Sequence, residues 1–237
     1  MSIEFTKSNL DSCLKKLAKE FRKLSKKSIP AEIVLIGGAS ILANYGFRNS
    51  TTDMDALISA SSIMKEAINN VGDKMGLPNG WLNTDFKKTK SYSGKLFEVS
   101  VFYKTFSNVL TIRTISAEYL VAMKLMSGRQ YKNDLSDIVG ILLEHQKEGT
   151  TLTLEQIKNA VITLYSDWSK LPTLSIEFIK EIYDGRDLEE IYSRICESEK
   201  SAKSAVLDFN KTNPSIVSED TINAVIEQAK KLREKEI

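Results

Sequence analysis

The stretch Glu32–Ile58 restricts the fold more than any other part of the chain. It opens with an apolar run that lacks polar alternation, which is typical of a strand covered on both faces. Gly37 and Gly38 follow, then a short helical pattern, and then a second apolar strand that begins with Asp53 and Asp55. This order of strand, glycine pair, helix and strand predicts an α/β unit.

The same stretch also restricts the chemistry. Because side chains alternate along a strand, Asp53 and Asp55 are expected to leave the same face. Neighbouring carboxylates repel each other unless positive charge lies between them, and Mg²⁺ binds carboxylate oxygens. Gly37 and Gly38 allow an unusual backbone path, and the N–H groups of a helix start favour an anion. A phosphate-binding turn beside a metal-binding carboxylate pair indicates phosphoryl or nucleotidyl transfer. An isolated Asp-x-Asp is more often a solvated strand end.

The composition excludes several classes of function. A formal charge of +2 over 237 residues gives no global reason to expect a nucleic-acid binder. Cys13 and Cys196 lack metal-ligand spacing, and His145 is the single histidine, which argues against Ser-His-Asp and Cys-His catalysis. The sequence starts without the pattern of a signal peptide and has no apolar run that could span a bilayer. We therefore expect a cytoplasmic protein with no membrane partner.

Apolar periodicity predicts the remaining elements. Four segments read as strands: Glu32–Ile36, Met54–Ile58, Lys95–Tyr103 and Val109–Ile115. Helices are predicted at Asn9–Lys27, Ala39–Tyr45, Ser62–Met75, Ala117–Met126, Asp134–Gln146, Leu154–Trp168, Ser175–Asp184, Leu188–Phe209 and Ser218–Glu236. The predicted fold class is α/β (α+β), with a small mixed sheet and flanking helices in residues 1–149 and an all-helical bundle in residues 150–237.

Two sequence blocks carry a resemblance to a known family. The first is Ile36-Gly37-Gly38 followed by Arg48-Asn-Ser-Thr-Thr-Asp53-Met-Asp55, and the second is Ser116–Ile138, with Lys124, Arg129 and Asp134. Together they resemble the DNA polymerase β-type nucleotidyltransferase superfamily, and most closely the bacterial AbiEii-like toxins of abortive-infection systems. The resemblance covers about Ile33 to Leu143.

The resemblance implies roles for individual residues. It implies that Asp53 and Asp55 are paired metal ligands for two Mg²⁺ ions and that NTP is a substrate. The third carboxylate is usually an aspartate, and Glu98 is the candidate here, with Ser100 as the alternative register on the same strand face. The implied nucleotide- and phosphate-binding residues are Gly37, Gly38, Ser40, Arg48, Lys124 and Arg129.

Several of these residues also have a plain structural interpretation. Ser40 fits a helix-start role equally well. Lys124 is also explained as a surface lysine with a partly buried stem, and Arg129 as the partner of Asp134 or Asp137. Arg48 has the same two interpretations. The basic run Lys87, Lys88, Lys90 and Lys95, with Trp81 and Tyr92, fits either a nucleic-acid backbone contact or a solvated loop.

The predicted function is metal-dependent transfer of NMP from NTP to an acceptor hydroxyl. The resemblance implies that the acceptor is RNA (tRNA among the candidates) or protein, and that the chain acts as a toxin with an antitoxin partner. One alternative is a catalytically silent nucleotide- or partner-binding module on the same fold. Another is a helical interaction protein with an incidental Asp-x-Asp.

Overall fold

The computed structural model describes residues 4–25, 29–129, 132–185 and 187–212. Eight α-helices lie in these ranges: α1 Lys7–Ser25, α2 Gly37–Asn44, α3 Ile63–Met75, α4 Ala117–Ser127, α5 Asp134–Lys147, α6 Leu154–Tyr165, α7 Thr173–Tyr183 and α8 Leu188–Thr212. Among the residues described, no helix combines the length and apolarity needed to cross a membrane. The helix predicted at Ser218–Glu236 lies outside the described residues.

Five strands form one mixed sheet: β1 Ala31–Leu35, β2 Met54–Ser59, β3 Leu82–Asn83, β4 Ser100–Phe106 and β5 Leu110–Ile115. Their order is β3-β2-β1-β5-β4. β1 runs antiparallel to β2 and parallel to β5, while β3 is parallel to β2 and β4 antiparallel to β5. The predicted α/β (α+β) class with a mixed sheet and flanking helices is confirmed.

One face of the sheet is covered by α1 and α3. The apolar residues of α1 recur on a single side, so that Leu14 and Phe21 are fully buried. They join Ile33 and Leu35 of β1 and Ala67 of α3 in one apolar core. Since side chains alternate along a strand, the even-numbered residues of β1 and Asp55 of β2 face the other side of the sheet.

The strand predicted at Lys95–Tyr103 is wrong in its first half. Gly94–Leu96 forms a 3-10 turn, and the strand begins only at Ser100. The Ser93 hydroxyl accepts a hydrogen bond from the Lys95 N–H, and the turn buries Leu96 completely. Side chain-to-backbone bonding of this kind competes with a strand ladder. The two-residue strand β3 is too short to give a periodic signal, and it was missed.

The described residues group into two compact units. The first combines the chain up to Met123 with Leu152–Lys170, so it contains the whole sheet and α6. The second combines Lys124–Thr151 with the chain from Leu171 onward. The predicted division into residues 1–149 and 150–237 stays a prediction.

Candidate functional site

In the first unit, the fold brings the carboxylate strand to the start of α2. Leu35 of β1 pairs with Ala56 of β2, and the Ile36 N–H donates to the Asp55 carbonyl oxygen at 2.8 Å. Ile36 is also the residue that precedes the first helical residue, Gly37. The glycine pair and the aspartate pair therefore lie at one hydrogen-bonded corner of the sheet.

The two aspartates differ in exposure. Asp53 is exposed and lies immediately before β2, whereas Asp55 is the second residue of the strand and is half-buried. The Thr51 hydroxyl donates to the Asp53 carbonyl oxygen at 3.2 Å, and the Thr52 hydroxyl donates to the Asp53 carboxylate at 3.4 Å. Two carboxylates on one short stretch have the oxygen donors that a hard divalent cation takes. They therefore fit part of the coordination shell of Mg²⁺.

The start of α2 suits an anion. Its N-cap is Ile36, whose side chain has no group that could accept a hydrogen bond from the first-turn N–H groups. Gly37 adopts a left-handed conformation with φ of +54°, and a Cβ built on it would meet no described atom within 4 Å. Uncapped N–H groups and the helix dipole favour negative charge at such a position.

Gly38 has a different role from Gly37. A Cβ built on Gly38 would lie 2.8 Å from Nη2 of Arg48 and 2.8 Å from Oγ1 of Thr51. Glycine at this position therefore admits the guanidinium and the hydroxyl to the helix start. The Arg48 Nε–H donates to the Ser50 carbonyl oxygen at 3.2 Å, and Thr51 is buried. The structure thus brings Arg48 to the glycine pair, as the phosphate-binding prediction requires, and adds Thr51, which sequence reasoning missed.

Ser40 is fully buried, and its hydroxyl accepts the Ile115 N–H at 2.9 Å. This bond ties α2 to the end of β5. The neighbouring Asn44 side chain donates to the Ile115 carbonyl oxygen at 3.1 Å and reinforces the same connection. Ser40 therefore has a structural role, but it connects α2 to β5 and does not cap the helix start as the sequence suggested. The phosphate contact stays a prediction.

Glu98 is exposed and lies in the turn before β4, where its N–H donates to the Lys95 carbonyl oxygen at 3.0 Å. The alternative position, Ser100, is buried and its hydroxyl accepts from Arg113 Nε at 2.6 Å. Within the described ranges, no group of three or more His, Cys, Asp or Glu side chains is arranged to hold a metal ion. The role of Glu98 as a third ligand stays a prediction.

The second unit contains a buried network of charges. Lys124 Nζ lies 2.7 Å from Asp134 Oδ1 and 2.7 Å from Asp137 Oδ2, and Arg129 Nε lies 2.9 Å from Asp134 Oδ2. Both aspartates are buried. Burial alone would raise the pKa of Asp134, but the charges of Lys124 and Arg129 outweigh it and hold that pKa well below its usual range. The predicted pairing of Arg129 with Asp134 is therefore present.

Glu199 of α8 joins the same region from a distant part of the chain. Its carboxylate accepts the N–H groups of Leu135 and Ser136, each at 3.1 Å, and so caps the first turn of α5. Burial raises the pKa of Glu199 to about 7, although these hydrogen bonds oppose the shift. The spacing of Asp134 and Asp137 on a helix could have predicted a shared face. No local pattern predicts Glu199.

One comparison with known proteins gave a match. A family model described as "Nucleotidyltransferase of unknown function (DUF6036)" matches residues 12–153, which is more than half of the chain. The matched range includes the corner formed by β1, α2 and β2, and it also includes Lys124, Arg129, Asp134 and Asp137. No curated protein and no solved structure matches the chain.

Proposed function

We propose metal-dependent transfer of a nucleotide for this chain, which belongs to the DUF6036 family of nucleotidyltransferases. The observation that carries the proposal is the corner at which the Ile36 N–H bonds to the Asp55 carbonyl oxygen. It places a carboxylate-bearing strand directly beside a helix start that favours an anion. In the proposed reaction an acceptor hydroxyl attacks the α-phosphorus of an NTP, the NMP is transferred, and pyrophosphate leaves.

The proposed roles follow from the positions of the residues. Asp53 and Asp55 would hold Mg²⁺, which supplies positive charge for the phosphates and lowers the pKa of a bound hydroxyl. The first turn of α2 and the Arg48 guanidinium would bind phosphate oxygens. The Ser50 carbonyl oxygen, which accepts from the Arg48 Nε–H, would help to hold the guanidinium beside Gly38. The phosphate contacts that the resemblance implies for Lys124 and Arg129 stay predictions, and both side chains form ion pairs with Asp134.

The test is transfer of label from each α-labelled NTP to total RNA and total protein, with and without Mg²⁺. We expect transfer by the wild-type protein and none by Asp53→Asn or Asp55→Asn. Asp73→Asn is the matched control, because Asp73 is an exposed aspartate of α3 in the same unit. Full transfer by an Asp53→Asn/Asp55→Asn double variant would remove the proposal.

A second candidate function is a nucleotide-binding module without catalysis on the same fold. It is favoured by one observation, the lack of a three-carboxylate group among the residues that the structure describes. This candidate predicts that NTP with Mg²⁺ raises the melting temperature while no acceptor is labelled. Loss of that thermal shift in Asp53→Asn would link the binding to the carboxylate pair in either case.

The resemblance to AbiEii-like proteins extends the proposal to a toxin with an antitoxin partner. Controlled expression in a bacterial host should then arrest growth. The Asp53→Asn/Asp55→Asn variant should not arrest growth at equal protein level. Equal growth arrest by both proteins would show that toxicity does not depend on the proposed transfer reaction.

A further inference from the structure

The segment Asp85–Lys95, here named the lysine segment, joins β3 to β4 in the first unit. Its four lysines are all exposed, and they are Lys87, Lys88, Lys90 and Lys95. Its single acidic residue, Asp85, pairs with Lys88 at 2.7 Å. Both partners of this pair are strongly exposed, so the pair adds little to stability and holds the lysine only weakly. The segment is a strongly positive surface on a chain whose total charge is nearly balanced.

Buried hydrogen bonds fix this segment to α6. The Tyr165 hydroxyl donates to the Ser91 carbonyl oxygen at 2.7 Å, and the Ser93 hydroxyl donates to the Leu164 carbonyl oxygen at 2.8 Å. Phe86 is buried at the other end of the segment. The backbone that carries the lysines is therefore ordered before any ligand arrives, which reduces the entropy that binding must lose.

The segment begins beside the carboxylate strand. β3 pairs in parallel with β2 so that Asn83 lies opposite Asp55, and paired strands are about 4.8 Å apart. The turn Asp85–Lys88 also contacts β2. Chain length alone keeps the Cα atom of Lys87 within about 14 Å of that of Asn83. The first of these lysines, Lys87, therefore lies within a few nucleotide lengths of Asp55, a predicted metal ligand.

The chemistry of the segment favours a polyanion. Lysine ammonium groups act as point charges that bind phosphates without reading bases. A protein partner usually meets an apolar or aromatic centre with few lysines, which this segment does not resemble. One aromatic side chain, Tyr92, lies among the lysines and is 37% exposed. It offers a ring on which an unpaired base could stack.

We propose that the lysine segment binds the sugar–phosphate backbone of a nucleic-acid acceptor, a single-stranded or looped RNA, and leads its hydroxyl toward Asp53 and Asp55. Binding by the segment stands alone, whereas delivery of the hydroxyl rests on the proposed function. RNA is thereby favoured over protein, the other acceptor class that the proposed function leaves open.

The experiment measures binding of a fluorescein-labelled single-stranded RNA of mixed sequence by anisotropy over a series of salt concentrations. The test variant is Lys87→Ala/Lys88→Ala/Lys90→Ala, and the matched control is Lys15→Ala/Lys16→Ala/Lys19→Ala on the exposed side of α1. Loss of three phosphate contacts should reduce the slope of log K against log salt by about 2 and weaken binding about tenfold or more at low salt. The control variant and the melting temperatures should stay at wild-type values.

Three results would overturn the proposal. The first is that the wild-type protein does not bind the RNA, and the second is that the test variant binds the RNA as tightly as the control variant. The third is that a polyglutamate peptide of similar length binds as tightly as the RNA. The Asp53→Asn/Asp55→Asn variant separates the two proposals, because it should bind RNA normally while losing transfer. RNA binding that depends on the lysine segment, without transfer by the wild-type protein, would reject the proposed function and keep the proposed surface.

Discussion

Two pairs of aspartates lie in opposite surroundings in this molecule. Asp134 and Asp137 are buried in the second unit, and the same lysine ammonium lies 2.7 Å from each. Asp53 is exposed and Asp55 is half-buried in the first unit, next to a helix start that favours anions. A buried charge is tolerated only with a partner inside the protein. The buried pair is thus part of what holds its unit together, whereas the pair of Asp53 and Asp55 is at least partly open to solvent.

This difference makes the two pairs separable by experiment. Changes to the buried network should act first on the free energy of unfolding, because they leave a charge without compensation. Changes to Asp53, which is exposed, should act on binding and transfer with little effect on stability.

The largest effect is expected from Lys124→Met, which removes the cation shared by Asp134 and Asp137. Asp134 then keeps its ion pair with Arg129, but both buried carboxylates lose the ammonium 2.7 Å away. The free energy of unfolding should therefore fall by about 3–5 kcal/mol. Urea denaturation of the purified protein measures this loss. Lys65→Met, at an exposed lysine of α3, is the control and should stay close to wild type. A loss as small as that of the control would show that the network is not stabilising.

The next effect concerns pH and Glu199, whose pKa is about 7 in the folded protein against a reference value of 4.5. Because the folded pKa is the higher one, protonation stabilises the native state fully below about pH 4.5. That contribution is lost as pH rises through 7. Wild-type stability should therefore fall by about 3 kcal/mol over this window relative to Glu199→Gln.

The measurement is a series of urea denaturations of both proteins between these two pH values. Glu190→Gln, at an exposed position of the same helix, should keep the wild-type pH dependence. Titratable groups close to Glu199 include Asp137, Tyr192 and Cys196. Parallel stability profiles for wild type and Glu199→Gln would assign the pH dependence to another group.

The two glycines offer a comparison within the exposed site. Gly37→Ala places a Cβ in open space but on a left-handed backbone, which costs roughly 1 kcal/mol. Gly38→Ala forces Arg48 and Thr51 to move, at a similar cost of about 1 kcal/mol. Only the second change displaces the guanidinium.

We therefore expect NTP-induced thermal shifts to fall further in Gly38→Ala than in Gly37→Ala, at similar melting temperatures without ligand. Equal shifts in the two variants would mean that Arg48 does not bind the nucleotide. Arg48→Lys provides a third measurement, because lysine keeps the charge but loses the two-pronged contact of a guanidinium with phosphate.

The smallest change in stability is expected from Asp53→Asn. The side chain is exposed, so the free energy of unfolding should stay within about 0.5 kcal/mol of wild type. The same variant should lose nucleotide transfer completely. Asp134→Asn provides the contrast, since it removes a buried charge that pairs with both Lys124 and Arg129 and should unfold at much lower urea. A large loss of stability in Asp53→Asn would erase the distinction between the two pairs.

Much of the corner around Gly37 was predictable from sequence. Periodicity predicted β1 and β2, and the glycine pair predicted the turn into α2. The chemistry of the corner stays a prediction. The sequence also predicted that Arg129 pairs with Asp134 or Asp137, because the residues are close in the chain. The predicted strand was wrong before Ser100, because an apolar alternation continued through a turn that Ser93 caps. The role of Glu98 as a metal ligand stays a prediction.

The sequence by itself determined the order of the longer strands and helices, because apolar period, glycine and capping residues act over a few neighbouring positions. Only the tertiary structure decided which distant groups meet. Glu199 reaches the first turn of α5 across 64 positions of the chain, and the lysine segment begins beside Asp55 through the pairing of β3 with β2. Contacts of this kind depend on how elements pack, and packing leaves no local pattern in the residues it joins.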